Sequence, residues 1–300
     1  MFPFYLRKWY LDLISDDGIV LYLYFIATRS AGIPGGNISA HVVLADGNAL
    51  GAVLNRRVTL LDSKQSAACA RNLLANKPGS SHAHLEFPRL AIDLHYCAKA
   101  GAWTPGNGGV LLQKNGAYLS WNVPLPAADV EGVIRTDTQE WRVRGTGYQD
   151  MVEMTFPPWR VPIAELIWGR AHCGIYTVVY DRLKLRDGAC LQYLLLQSDD
   201  DVAPCESQAF TIESDAGDQK CMLRHKDFVL NLTQKQILAQ GEIASGGQIP
   251  SRLLRNFLKR SSGNPSEKKM ISAAELYVGE RSFHGWAIHE RVTWHWKENR

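Results

Sequence analysis

Three short segments place carboxylates beside phenols and indoles at strand spacing. In Lys8-Trp9-Tyr10-Leu11-Asp12, alternation along a strand puts Tyr10 and Asp12 on one face and Trp9 and Leu11 on the other. In Gly145-Thr146-Gly147-Tyr148-Gln149-Asp150, Tyr148 and Asp150 share a face, while Gln149, Met151 and Glu153 take the opposite one. In Leu166-Ile167-Trp168-Gly169-Arg170-Ala171-His172, an extended chain aligns Trp168, Arg170 and His172. A carboxyl group among aromatic rings has a chemical use. Burial disfavours its charge, so it stays protonated near neutral pH and can deliver a proton to an alkene or carbonyl. Ring faces then stabilise the developing cation. The competing reading makes Asp12 and Asp150 turn residues or partners of Arg and Lys.

Other chemistries lack their motifs. There is no GxGxxG, no Walker lysine loop, no HExxH and no GxSxG, so no cofactor is expected. His82 and His84 form an HxH pair beside Pro78–Ser81, but no third ligand is indicated and no metal is expected. Six cysteines show no CxxC spacing and read as reduced core thiols. With 33 basic and 30 acidic residues the net charge is only +3, which argues against nucleic acid or an anionic membrane as the main partner. Arg7 and Lys8 precede an apolar run, Ile19 to Ala27, but Asp12, Asp16 and Asp17 intervene, unlike a signal peptide. No stretch approaches the ~20 apolar residues that cross a bilayer. A cytoplasmic protein is expected.

The elements that must position these groups read mostly as strands. A 300-residue chain with 46% apolar and 21% charged residues can bury a sizeable core. Nine Trp, eleven Tyr and nine Phe make that core aromatic. Trp9–Ser15 and Ile19–Thr28 flank Asp16-Asp17-Gly18, a hairpin turn whose Gly supplies positive φ. Asp187-Gly188 signals another. Further strands are expected at 89–97, 117–123, 131–135, 141–148, 163–168, 175–185, 190–197, 208–214, 273–278 and 286–296. Two helices are expected. One is Gln65–Leu74, Ala-rich and free of Gly and Pro; the other is Ser251–Ser261, with Leu253, Leu254, Phe257 and Leu258 on one face. Arg252, Arg255, Lys259 and Arg260 lie opposite. That helix packs on a barrel in one reading and makes transient contact with a membrane surface in the other. Pro157-Pro158 interrupts the strands and marks a boundary between domains 1–156 and 157–300.

Taken in order, the three segments resemble the carotenoid hydratase (hydroxyneurosporene synthase) family, which includes lipocalin-like proteins and fungal Diels-Alderases of decalin biosynthesis. Trp9-Tyr10-Leu11-Asp12 is similar to its aromatic first strand. Trp121 to Gly132 (WNVPLPAADVEG) is similar to its strand, Pro-rich turn and strand. Gly145-x-Gly147-Tyr148-x-Asp150 corresponds to its signature, followed by Trp168-Gly169-Arg170-Ala171, Tyr180-Asp181 and Asp187-Gly188. Gln149 and Met151-Val152 stand where the hydratases carry His and His-Asn, so groups that would orient a water are missing. The resemblance implies an all-β chain of two lipocalin-like antiparallel barrels with an apolar pocket at their interface. It also implies a hydrophobic polyene or isoprenoid-like substrate, cyclised or isomerised without a cofactor. Catalysis then falls to Asp150, Tyr148, Asp12 and Tyr10, and substrate contact to Trp9, Trp168, Arg170, His172, Gln149 and Trp121. A hydratase adding water to a terminal alkene is the second reading, and a non-catalytic lipid or pigment carrier the third.

Overall fold

A computed structural model describes residues 4–62, 65–199, 204–243 and 264–296. The chain divides into two compact units, Met1–Pro157 and Pro158–Arg300. The first holds β1 (Phe4–Ser15), β2 (Val20–Ser30), β3 (Ile33–Val43), β4 (Ala49–Leu54), β5 (Thr59–Leu61) and β6 (Ser66–Cys69). It continues through β7 (Asn72–Lys77), β8 (Ser80–Phe87), β9 (Leu90–Ala98), β10 (Val110–Lys114), β11 (Ala117–Thr136) and β12 (Glu140–Met154). The second holds β13 (Ile163–Cys173), β14 (Tyr176–Leu185), β15 (Cys190–Ser198), β16 (Cys205–Ser207) and β17 (Thr211–Ser214). After these come β18 (Lys220–Arg224), β19 (Phe228–Glu242), β20 (Ser266–Val278) and β21 (Arg281–Thr293).

Each unit is one curled antiparallel half-barrel sheet. The orders are β4-β3-β2-β1-β12-β11-β9-β8-β7-β6-β5, with β10 beside β11, and β16-β15-β14-β13-β21-β20-β19-β18-β17. Both follow one plan: the first strand of the unit pairs with its last, and a meander runs outward on either side of that seam. Alternation turns a mostly apolar face of each sheet inward. Leu11, Leu13, Leu21, Leu23, Ile38, Val42 and Leu94 fill the first core, and Val178, Leu194, Leu223, Leu230 and Leu276 the second. Each such side chain contributes about 1.5–3 kcal/mol on burial. In the first unit, residues 9–15, 19–25 and 147–151 are buried on both faces, so polar groups on this seam are removed from water on the side away from the core as well.

Asp16-Asp17-Gly18 is a tight hairpin with Gly18 at φ 83°, and Asp187-Gly188 turns β14 into β15 with Gly188 at φ 90°. The expected helix at Gln65–Leu74 is instead the β6–β7 hairpin, turning at Ala70-Arg71. Ala67, Cys69 and Leu74 reach the core from these strands, and Asn72 Nδ2 donates to Cys69 O at 3.0 Å. Tertiary burial outweighs the modest helix preference of alanine. The expected Pro-rich turn between two strands is also absent: β11 is one 20-residue strand. Its pairing with β12 shifts register around Pro124 and Pro126, where the missing N–H groups make a bulge cheap, so the strand bends without ending. Ser251–Ser261 lies outside the described residues. Among the described residues no helix is long and apolar enough to cross a membrane, and Pro158–Arg160 forms a 3-10 turn.

Candidate active site

Antiparallel register assembles a polar patch across four strands of the first unit. Tyr10 on β1 lies opposite Asp150 on β12 and, on its other side, Tyr24 on β2, which faces Ser39 on β3. The adjacent row runs Tyr148, Asp12, Tyr22, His41 across the same strands. Both rows are on the side away from the leucine core. Tyr148 Oη donates to Asp150 Oδ2 at 3.1 Å, and Trp121 Nε1 donates to the same oxygen at 3.2 Å. The rings are contiguous: Tyr10 lies 5.3 Å from Tyr24 and 6.1 Å from Tyr148, and His41 stacks on Tyr22 at 4.7 Å. Trp103 meets Trp121 edge-on at 5.2 Å. Asp12 and Tyr148 are fully buried and Asp150 is 5% exposed. Ser39 Oγ and Trp103 Nε1 are buried without a hydrogen-bond partner among the described residues.

The sequence places these groups through small local devices. A Cβ at Gly147 would lie 2.4 Å from Val130 Cγ2 and 2.8 Å from Tyr96 Cε1, so only glycine lets the core close behind Tyr148. The β11 bulge begins just beyond Trp121, where the strand is still in register with β12, and so leaves its indole beside Asp150. Alternation then separates the expected site residues. Trp9 and Gln149 point into the core. Gln149 joins Ser81 and Asn76 there in a buried polar network, its Nε2 donating to Asn76 Oδ1 at 3.0 Å. Glu153 on that side holds Arg7, Tyr5 and Tyr118. Burial works against the Glu153 charge, but the Tyr118 and Arg7 hydrogen bonds outweigh it and hold the pKa below the ordinary value. Burial and the bond to Glu153 push Tyr118 up to about 12.

Trp168, Arg170 and His172 belong to the second unit, on β13, and share a face opposite Ile167, Ala171 and Cys173. A row parallel in kind to the first crosses its seam: Tyr193, Asp181, Trp168, Glu290, Lys269. Lys269 pairs with Glu290 and sits 5.4 Å over the Trp168 ring, while Arg170 lies 4.3 Å over Trp286. His172 Nδ1 is 3.3 Å from Thr177 Oγ1. Gly169 is required by its neighbour, since a Cβ would lie 2.4 Å from the Tyr180 hydroxyl.

Tyr22, Tyr24, Ser39, His41, Trp103 and Lys269 join these patches without a motif that announced them. For Tyr22 and Tyr24 the signal was present in the alternation of Val20–Phe25; His41 and Ser39 sit on a strand whose residues gave no strand pattern. A cavity of about 590 Å³ lies elsewhere in the first unit, lined by residues including Phe4, Tyr5, Ala27, Pro34 and Val58, and among the described residues no carboxylate lines it. Strand pairing also brings Asp93 and His95 on β9 beside His82, donor groups that the HxH spacing by itself did not indicate.

The architecture is the two-domain lipocalin-like all-β fold. No family model and no curated protein matches the sequence. Among solved structures, CghA with Sch210972 is similar at a TM-score of 0.68 and 17% identity, over 97% of this chain and 88% of that one. A Nitrosomonas europaea protein described as an AttH is similar at 0.67 and 12%, over 95% and 91%. Kievitone hydratase from Nectria haematococca is similar at 0.63 and 11%, over 96% and 88%. At these identities the likeness establishes the fold.

Proposed function

We propose that the chain is a cofactor-independent cyclase or isomerase acting on a hydrophobic polyene or isoprenoid-like intermediate, with Asp150 as proton or hydrogen-bond donor. The observation that carries the reading is the buried carboxylate, gripped by Tyr148 and Trp121 and flanked by Tyr10 and Asp12 within an aromatic patch. Tyr148 and Trp121 donate to Oδ2 and so steady the carboxylate that forms as a proton leaves Oδ1 for a carbonyl or alkene. The surrounding rings suit an apolar substrate and a cationic transition state. Ser39 Oγ and Trp103 Nε1, buried and unpaired beside the patch, are polar groups that a ligand would satisfy. Holding a flexible chain in a reactive shape supplies much of the rest; well-oriented reactions gain roughly 7–11 kcal/mol in this way. The similar folds of CghA and kievitone hydratase support an enzyme of the cyclase or hydratase kind. With Gln149 turned into the core, it is not positioned to orient a water for Asp150, which favours cyclisation over hydration. A second reading, a hydrophobic-ligand carrier, is favoured by the carboxylate-free cavity near Phe4.

The test incubates the full chain with a linear polyene in water labelled with deuterium and oxygen-18 and follows the product by mass spectrometry. Deuterium without oxygen-18 supports proton-initiated cyclisation, and an altered skeleton with neither label supports a pericyclic step. Uptake of both labels marks a hydratase. Ligand recovered unchanged at every enzyme concentration overturns the catalytic reading in favour of the carrier. Asp150→Asn should lower the cyclisation rate by at least about 100-fold, the scale of a lost general acid; an unchanged rate removes Asp150 from the mechanism.

A further inference from the structure

A second constellation lies on the outward face of β8 and β9. Ala83, Leu85, Ile92, Leu94 and Tyr96 point into the core, so alternation turns His82, His84, Asp93 and His95 the other way. His82 is directly opposite His95, and His84 opposite Asp93. The two facing imidazoles stack almost parallel, 4.1 Å between centroids. Their Nε2 atoms both approach Asp93 Oδ1, at 3.0 Å from His82 and 3.5 Å from His95. On the other carboxylate oxygen, His84 Nδ1 stands 2.6 Å away, and His84 Nε2 lies 3.6 Å from Glu86 Oε1.

We propose that His82, Asp93 and His95 form a surface site for a borderline divalent transition-metal ion of Zn(II) type, with His84 orienting the carboxylate from behind. Three physical points carry this. Zn(II) takes imidazole nitrogen and carboxylate oxygen at about 2.0–2.2 Å, which sets tetrahedral ligand atoms roughly 3.3 Å apart. The two nitrogen-to-oxygen separations, 3.0 and 3.5 Å, bracket that spacing. Next, both imidazole nitrogens approach one carboxylate oxygen, so a single divalent ion placed among them takes a lone pair from each ring and the charge of the carboxylate. Third, the ligands stand on paired strands whose register is fixed by the core, so the backbone already places the three donors together and only a turn of the stacked rings is needed to aim both nitrogens at one ion. The His84–Asp93 contact is the outer-shell arrangement that holds a metal-bound carboxylate in place. Two nitrogen donors exclude Mg(II) and Ca(II) as preferred ions. Side-chain exposures of 34%, 38% and 58% for His82, Asp93 and His95 leave the remaining coordination positions to water or a solvent-borne ligand. Cys205, His225 and Asp227 form another cluster of suitable donors, and the Cys205→Ser variant distinguishes it from the β8–β9 site.

The experiment uses the full, metal-stripped chain and ZnCl2 in competition with a chromophoric chelator, with MgCl2 and CaCl2 in parallel. One Zn(II) per chain is expected, with at least tenfold weaker binding in His95→Gln and Asp93→Asn, a smaller loss in His84→Gln, and no change in Cys205→Ser. Circular dichroism of the metal-free variants establishes that they fold. A second measurement needs no variant: Zn(II) should protect His82 and His95 of the unaltered chain from diethylpyrocarbonate, while His284, whose side chain is 74% exposed, keeps reacting. Binding that survives in a His82→Gln/His95→Gln chain, that is lost only in Cys205→Ser, or that leaves His82 and His95 as reactive as before overturns the site.

Discussion

At Asp150 two donors converge on a single carboxylate oxygen, and the consequences differ for each. Trp121→Phe removes one hydrogen bond but keeps most of the ring packing, whereas Tyr148→Phe removes the donor shared with the seam. If Asp150 is the proton donor, each variant should lower kcat by about 10- to 100-fold with little change in KM, because a positioning bond acts mainly in the transition state. Steady-state kinetics on the substrate that the labelling experiment identifies would decide this; a pure KM effect would place both residues in substrate binding. His289 carries a different residue-scale prediction. It is 3% exposed, with Nε2 2.8 Å from Ser272 Oγ. Burial, reinforced by Lys268, Arg291 and Lys269, lowers its pKa from 6.5 to about 4. The unfolded chain therefore binds a proton below pH 6.5 that the folded chain refuses until about pH 4. This site leaves stability unchanged above pH 6.5 and lowers it by about 3 kcal/mol in all between 6.5 and 4. Urea midpoints across that window should fall, and His289→Gln should flatten the slope.

Elements here are placed by what they can approach as much as by what they contain. β13 and β14 lie close because Gly169 leaves room for the Tyr180 ring, a buried phenol whose pKa burial raises well above 10. Gly169→Ala forces the ring or the strand to move and should cost about 1–3 kcal/mol, the usual range for overpacking. Chemical denaturation would measure it, and Gly169→Ala combined with Tyr180→Phe should recover part of the loss, because the clash includes the hydroxyl. Strand β1 was legible because Trp9–Ser15 is rich in aromatic and branched apolar residues and ends at a Gly-containing turn. Strands β6 and β7 were not, because Ser-Ala-Ala-Cys is equally good helix material until Ala67 and Cys69 find a core to enter. In β11 the two prolines signalled a break, and the neighbouring strands turned it into a bend.

Across the whole chain the six cysteines sample both units. Cys97 and Cys190 are exposed, whereas Cys69, Cys173 and Cys221 are buried. Burial pushes the Cys173 thiol up to about 12 and raises the other two above their ordinary value. Native-state alkylation should therefore mark Cys97 and Cys190 within minutes and the buried three only as the chain opens. Peptide mass spectrometry would show it, and early labelling of Cys173 would contradict the second core as described. The two units share a seam-and-meander plan that no internal repeat in the sequence reveals, because strand order is fixed by pairing partners and by which apolar faces meet, and quite different residues satisfy both.

By itself the sequence determined the period of the chain, its main turns and the alternation that puts Tyr10 with Asp12, Tyr148 with Asp150, and Trp168 with Arg170 and His172. These are consequences of backbone geometry within one strand. Which strands stand side by side was decided only by the tertiary structure. Hydrogen-bond register brought Asp150 opposite Tyr10, set Tyr22, Tyr24 and His41 in the same rows, turned Gln149 and Trp9 inward, and delivered Asp93 and His95 to His82. Contacts of that kind join residues up to 148 positions apart, and no local pattern encodes them; they follow from burying two apolar faces while every ladder donor finds an acceptor.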